Sequence, residues 1–153
     1  MTVAGMYNEE TIDIAASPDV VYGLVSDLAR MGEWSPETTG GRWLDGGAGA
    51  VGDQFEGDNQ IGDRKWSAVA EVTVAQPGTK FEFVTGPPEG RFVRWTYRLA
   101  PNGEGTTVTE VWDVEILPGT LAKFTEDQLA GRASAVASSM QATLAGVKAT
   151  AEG

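Results

Sequence analysis

TEDQLAGRASAVASSMQATLAGV, residues 125–147, is the stretch that settles how the chain folds. Thr125 and Gln128 have the spacing of a capping box, in which each side chain satisfies a backbone N–H that the first helical turn leaves open. Leu129, Ala133, Val136, Met140, Leu144 and Val147 follow at steps of three and four residues, forming one apolar stripe on a helix of about seven turns. Ala130, Ala135, Ala137, Ser138, Ser139 and Ala145 flank the stripe with small side chains, so the helix can lie close against another surface. It needs one, because most helical stability comes from burying the apolar face.

The preceding segment supplies that surface. From residue 40 to residue 116 short alternating runs are separated by turn residues, as in an antiparallel meander. Residues 42–44 read as a short edge strand. Residues 54–60 set Phe55, Gly57 and Asn59 against Gln54, Glu56 and Asp58, and residues 64–75 put Trp66, Ala68, Ala70, Val72 and Val74 on one face. After a tight turn at Gln76-Pro77-Gly78-Thr79, Phe81 and Phe83 share a face with Glu82 opposite. Val93, Trp95, Tyr97 and Leu99 then alternate with Arg94, Thr96 and Arg98, and Pro101-Asn102-Gly103 marks a turn. The last run alternates Val108, Glu110, Trp112 and Val114 with Thr109, Val111, Asp113 and Glu115.

Ahead of the meander, residues 7–16 alternate as a half-buried strand with Ile12, Ile14 and Ala16 on one face. Ser17, Pro18 and Asp19 then make a helix start: a capping hydroxyl, a proline where no N–H is needed, and an acid at the positive end of the dipole. Val21, Leu24, Val25 and Leu28 recur at helical spacing, a second short turn carries Met31 and Trp34, and Gly32 and Pro36 end the region. The order predicts an α+β fold. A curved antiparallel sheet of about seven strands wraps around the long C-terminal helix, with two short helices after the first strand. With no repeat or linker, residues 1–153 read as a single ligand-binding domain.

Composition limits the chemistry. The 153 residues include 22 acidic against 11 basic side chains, a net charge of −11 that repels nucleic acid and anionic lipid surfaces. With no cysteine, there is no disulfide, thiolate metal site or cysteine nucleophile; with no histidine, Ser17, Ser67 and Ser138 have no base for an ordinary serine triad. Acid–base chemistry is left to carboxylates, tyrosine, lysine or water. The opening MTVAGMYNEETIDI lacks a basic segment followed by an apolar run, and nowhere do 18 apolar residues occur in succession, so a cytoplasmic protein without membrane insertion is expected.

GAGAVG, residues 47–52, matches the dinucleotide-binding fingerprint letter for letter. That motif requires a strand before it and a helix after it. Here residues 53–59 continue as an alternating strand, so the segment reads as an inter-strand loop. Asp58, Asn59 and Asp63 make a weak cation site at most, since their spacing fits no calcium loop. No cofactor and no metal are expected.

The inward faces collect Phe55, Trp66, Phe83, Trp95, Tyr97 and Trp112, together with Gly57, Ala68 and Ala70. Large aromatics beside very small residues fit the wall of a cavity; aromatics also dominate ordinary cores. Glu110 is in phase with Val108, Trp112 and Val114, so it points inward. It is either a proton donor or acceptor with a raised pKa, an anchor for a ligand hydroxyl, or a carboxylate that finds an arginine or solvent. Asn59 is placed to orient a ligand carbonyl or to close a turn. Glu37 reads first as exposed loop charge and second, with Arg42 and Trp43, as a polar gate.

The arrangement resembles the START-like superfamily with the helix-grip fold, and in particular its actinobacterial polyketide cyclase/dehydrase-type branch. The resemblance is carried by IDIAASP (residues 12–18), MGEWSPE (31–37), GGRWL (40–44), Gly52 with Phe55, Gly57 and Asn59, Trp66, FEF (81–83), WTY (95–97) and TVTEVW (107–112). It implies a deep cavity between sheet and C-terminal helix that holds lipids, polyketides or other apolar molecules. The implied ligand contacts are Trp34, Trp43, Phe55, Asn59, Trp66, Phe83, Trp95, Tyr97, Glu110, Trp112 and Met140. Three readings follow: a binding protein for an apolar, aromatic or polycyclic small molecule; a polyketide cyclase/dehydrase in which Glu110 and Tyr97 are the catalytic candidates; and a protein-interaction module. A homodimer is left open.

Overall fold

The computed structural model describes residues 4–86, 93–117 and 123–153. Its strands are β1 (Tyr7–Ile14), β2 (Thr38–Trp43), β3 (Gln54–Ile61), β4 (Arg64–Gln76), β5 (Lys80–Thr85), β6 (Val93–Asn102) and β7 (Gly105–Val114). They form one curved antiparallel sheet in the order β1-β7-β6-β5-β4-β3-β2. Strands β2 to β7 follow one another as a meander, and β1 adds to β7 at the far edge. The chain crosses from β1 to β2 through α1 (Pro18–Val25) and a 3-10 helix (Leu28–Glu33), and α2 (Glu126–Glu152) closes the concave side. This is the helix-grip arrangement expected from the order of elements.

Local chemistry explains the helix starts. Ser17 accepts the Val20 N–H, with Pro18 at the first helical position, and Thr125 and Gln128 form the reciprocal capping box. The stripe of α2 packs at two places. Leu144 and Val147 join Ile14, Val21, Phe81 and Val108 in one apolar cluster, whereas Val136 and Met140 join Met6, Trp112 and Val114 in another. The helix end is tied to β1 and the residues after it: Lys148 donates to the Asp13 carbonyl at 2.9 Å and the Ala15 N–H to Glu152 at 2.8 Å. Gly146 permits the close approach, since any Cβ there would run into Trp34.

The pairing brings inward residues into rows. Phe83, Trp95 and Trp112 lie side by side across β5, β6 and β7, and Phe81, Tyr97 and Glu110 form the next row, with Glu10 of β1 beyond. Three boundaries differ from the sequence reading. Strand β2 begins at Thr38 rather than at residue 42, because Gly40 and Gly41 let it pass a bulge and lie over Phe55; a Cβ on Gly41 would be 2.6 Å from that ring. A second bulge in β4 pairs Val72 with Phe83 but Val74 with Glu82, so Val74 leaves the inward face and Ala75 takes its place beside Phe81. Strand β6 runs through Pro101 to Asn102, and the turn falls at Gly103, whose φ is +62°.

Candidate ligand-binding site

The concave face is not filled by its own side chains. Between the sheet, the 3-10 helix and α2 lies a cavity of about 890 Å³, within the size range of small-molecule sites. Phe55, Asn59, Trp66, Phe83, Trp95, Tyr97, Glu110, Trp112 and Met140 all line it, as do Gly57, Ala68 and Ala70. Trp66, Phe83 and Trp95 point inward yet are only half-buried, and all three line the open cavity.

Two tryptophans expected among the ligand contacts, Trp34 and Trp43, are not among the residues that line the cavity. Trp34 follows the 3-10 helix and turns against Gly146 of α2, where it is buried in the core; its indole N–H has no acceptor among the described residues. Trp43 lies opposite Phe55 at the sheet edge, with the ring centres 5.2 Å apart, and it is Phe55 that reaches the cavity. Glu37, read first as exposed loop charge, is mostly buried and ion-paired, and the alternative gate with Arg42 and Trp43 differs as well. Glu37 does not pair with Arg42, which binds Glu56 and Asp58 on the other side of the sheet. Instead Glu37 lines the cavity and accepts both guanidinium nitrogens of Arg132 on α2, at 2.7 and 3.1 Å, with 19% and 23% of the two side chains exposed. Arg132 was legible in one respect: it stands three residues after Leu129 and four before Val136, within the apolar stripe. Beside this pair Thr38 donates to Asn59 at 3.3 Å, which orients the amide at the wall.

Glu110 and Tyr97 form the polar centre deeper in. They face each other across the β6–β7 pair, and the tyrosine hydroxyl donates to Glu110 Oε2 at 2.9 Å. Glu110 is 3% exposed, and Oε1 has no hydrogen-bond partner among the described residues. Burial pushes the carboxyl up to about 8; the Tyr97 hydrogen bond opposes the rise and the charge of Glu10 adds to it. Tyr97 is likewise raised well above its usual value, by burial and then by Glu110. Glu82, on the opposite face, gives the contrast. Burial by itself would raise it too, but hydrogen bonds from Thr73 and Thr96 and the charge of Arg94 outweigh that and hold it below its ordinary value. Glu82 is a carboxylate held ionised by its partners, whereas burial favours the protonated form of Glu110.

Two weaker signals resolve simply. The N–H groups of Ala48, Gly49 and Ala50 all donate to Asp53 Oδ2, at 2.9, 3.1 and 2.9 Å, so the anion cradle of the glycine-rich loop is filled by the chain's own carboxylate. Asp58 is engaged by Arg42 and by Ser67. No helix among the described residues is long and apolar enough to cross a membrane.

The profile of the family described as polyketide cyclase / dehydrase and lipid transport matches residues 8–152. The chain belongs to this family. Among solved structures it is similar to a Polyketide_cyc-like protein of Corynebacterium glutamicum, with 32% identity and a TM-score of 0.67, over 93% of this chain and 88% of the other. A START superfamily protein of Mycobacterium smegmatis shares the fold at 17% identity and a TM-score of 0.72, covering 95% and 98% of the two chains. So does a major latex-like protein of Panax ginseng, at 16% identity and a TM-score of 0.69 over 95% and 96%. No curated protein matches the sequence.

Proposed function

We propose that the protein binds an apolar small molecule, aromatic or polycyclic in character, inside the cavity between sheet and α2. The supporting observation is the cavity itself: about 890 Å³ of space, with Phe55, Trp66, Phe83, Trp95 and Trp112 presented to it. Empty apolar volume of this size is costly to a fold, because its lining loses contacts that a filled core would make. An occupant restores them, and each Å² of apolar surface it buries contributes ~25 cal/mol. Titration with fluorene, read by tryptophan fluorescence, tests the reading. A saturable one-to-one response supports it, and no response across fluorene and larger polycyclic compounds removes it.

Polyketide cyclase/dehydrase chemistry is the second reading, and the Glu110–Tyr97 pair favours it. A carboxyl group with a pKa near 8 exchanges protons readily at neutral pH, which suits enolisation and dehydration of a folded poly-ketone. Turnover of a poly-β-ketone thioester that falls at least a hundredfold in Glu110→Gln supports this chemistry. Turnover unchanged in that variant eliminates the assigned role.

A further inference from the structure

We propose that Glu110 sets the specificity of the cavity, its free carboxyl oxygen carrying a proton that hydrogen-bonds to a carbonyl oxygen on an otherwise apolar ligand. The inference rests on the binding reading above and adds the chemical class of the occupant, an uncharged aromatic ketone or quinone.

The geometry carries it. Glu110 is a lining residue whose two oxygens are not equivalent: Oε2 is occupied by Tyr97, and Oε1 is buried with no partner among the described residues. A buried polar group without a partner is destabilising by roughly 1–3 kcal/mol, and the missing partner is expected from whatever fills the neighbouring space. Bulk water does not reach Oε1. Glu110 lines the cavity, so an occupant is the group placed to supply that partner once the carboxyl turns toward it.

The surroundings fix the sign of that partner. The charged and titratable groups around Glu110 are Tyr97 on β6 and Glu10 on β1, while the cavity-lining residues Ser139, Met140 and Thr143 on α2 carry no charge. Arg132, the cation of α2 at the wall, is bound at both terminal nitrogens by Glu37. Arg64 also lines the cavity, from β4, but the groups that act on Glu110 are Tyr97 and Glu10; among the described residues no positive group stabilises its ionised form, and burial favours the protonated one. A neutral carboxyl in an apolar site is a hydrogen-bond donor. Its complement is an acceptor without charge, because a ligand carboxylate would be desolvated beside two acids.

Three probes of one shape separate the outcomes: fluorene, 9-fluorenone and fluorene-9-carboxylate, with affinities measured by tryptophan fluorescence near pH 6.5. In the wild type, fluorenone binds about tenfold tighter than fluorene, the value of one additional buried hydrogen bond, and the carboxylate binds weakest. Glu110→Gln retains the preference, since its amide still donates. Glu110→Met loses it, so that fluorene and fluorenone bind alike, while the circular-dichroism spectrum of the free variant shows that the fold is intact. Should the methionine variant fail to fold, infrared spectroscopy of fluorenone bound to the wild type decides: its carbonyl stretch shifts below the value in hydrocarbon solvent. Equal binding of fluorene and fluorenone, a preference that survives in Glu110→Met, or a carbonyl stretch at the hydrocarbon value each overturns the proposal while the binding reading stands. Failure of every probe to bind defeats both.

Discussion

Replacing Glu110 by glutamine should stabilise the protein by an amount that grows with pH. In the folded state the carboxyl is raised to about 8 from an ordinary value of 4.5, chiefly by burial. Between those values the native chain holds a proton that the unfolded chain releases, so native stability falls as pH rises through the window. Each pH unit within it is worth about 1.4 kcal/mol, which makes the Glu110 penalty roughly 3 kcal/mol at pH 7. Glutamine does not ionise, and its amide oxygen can still accept the Tyr97 hydroxyl. The variant should therefore match the wild type near pH 4.5, exceed it by about 3 kcal/mol at pH 7, and gain nothing further above pH 8. Urea denaturation of both proteins at about pH 5, 6, 7 and 8 gives the difference directly, with other titrating groups cancelling. A difference that stays flat across that range would refute a buried, neutral Glu110. A group so destabilising at neutral pH fits a functional role better than a structural one.

Five further substitutions probe the frame and the wall. Gly131→Ala and Gly146→Ala lie in the same helix, yet their effects should have opposite sign: the first meets nothing and stabilises by about 0.5–1 kcal/mol, while the second collides with Trp34 and destabilises by about 1–3 kcal/mol, both visible in thermal melts. Ala68→Phe places a ring in open cavity space, so fluorene affinity should fall at least tenfold with the melting temperature within a few degrees of wild type; undiminished affinity would place the ligand elsewhere. Glu37→Gln and Arg132→Met should each destabilise by about 1–2 kcal/mol, since the pair is mostly buried and doubly hydrogen-bonded, and a double-mutant cycle should give a coupling above about 0.5 kcal/mol. Strict additivity would mean that the pair does not clamp β2 to α2.

The inward faces of the sheet were readable because side chains alternate with period two, and alternation alone placed Phe83, Trp95, Tyr97, Glu110 and Trp112 on the concave side. It failed at Val74, where one extra residue in β4 reverses the phase; Thr73, a good strand residue, gives no local sign of a bulge. Sequence alone did not separate Trp34 and Trp43 from the residues that line the cavity, because tryptophan has the same composition signature in a core as in a cavity wall. Only packing against Gly146 and Phe55 distinguishes them. The pairing of Glu37 with Arg132 spans 95 residues and depends on how α2 crosses the mouth, which no local pattern encodes. The inward phase of Glu110 was equally readable, but alternation left open whether it would find an arginine, since Arg64 shares the inward face and lines the same cavity; only the burial of Glu110 against Tyr97 decides that.

Native mass spectrometry of the purified protein, beside the Ala68→Phe variant, tests the central claim most directly. The account predicts one small apolar molecule per wild-type chain, either co-purified or acquired from fluorenone, and none in the variant. Wild-type protein that appears only at its bare mass under both conditions would contradict it.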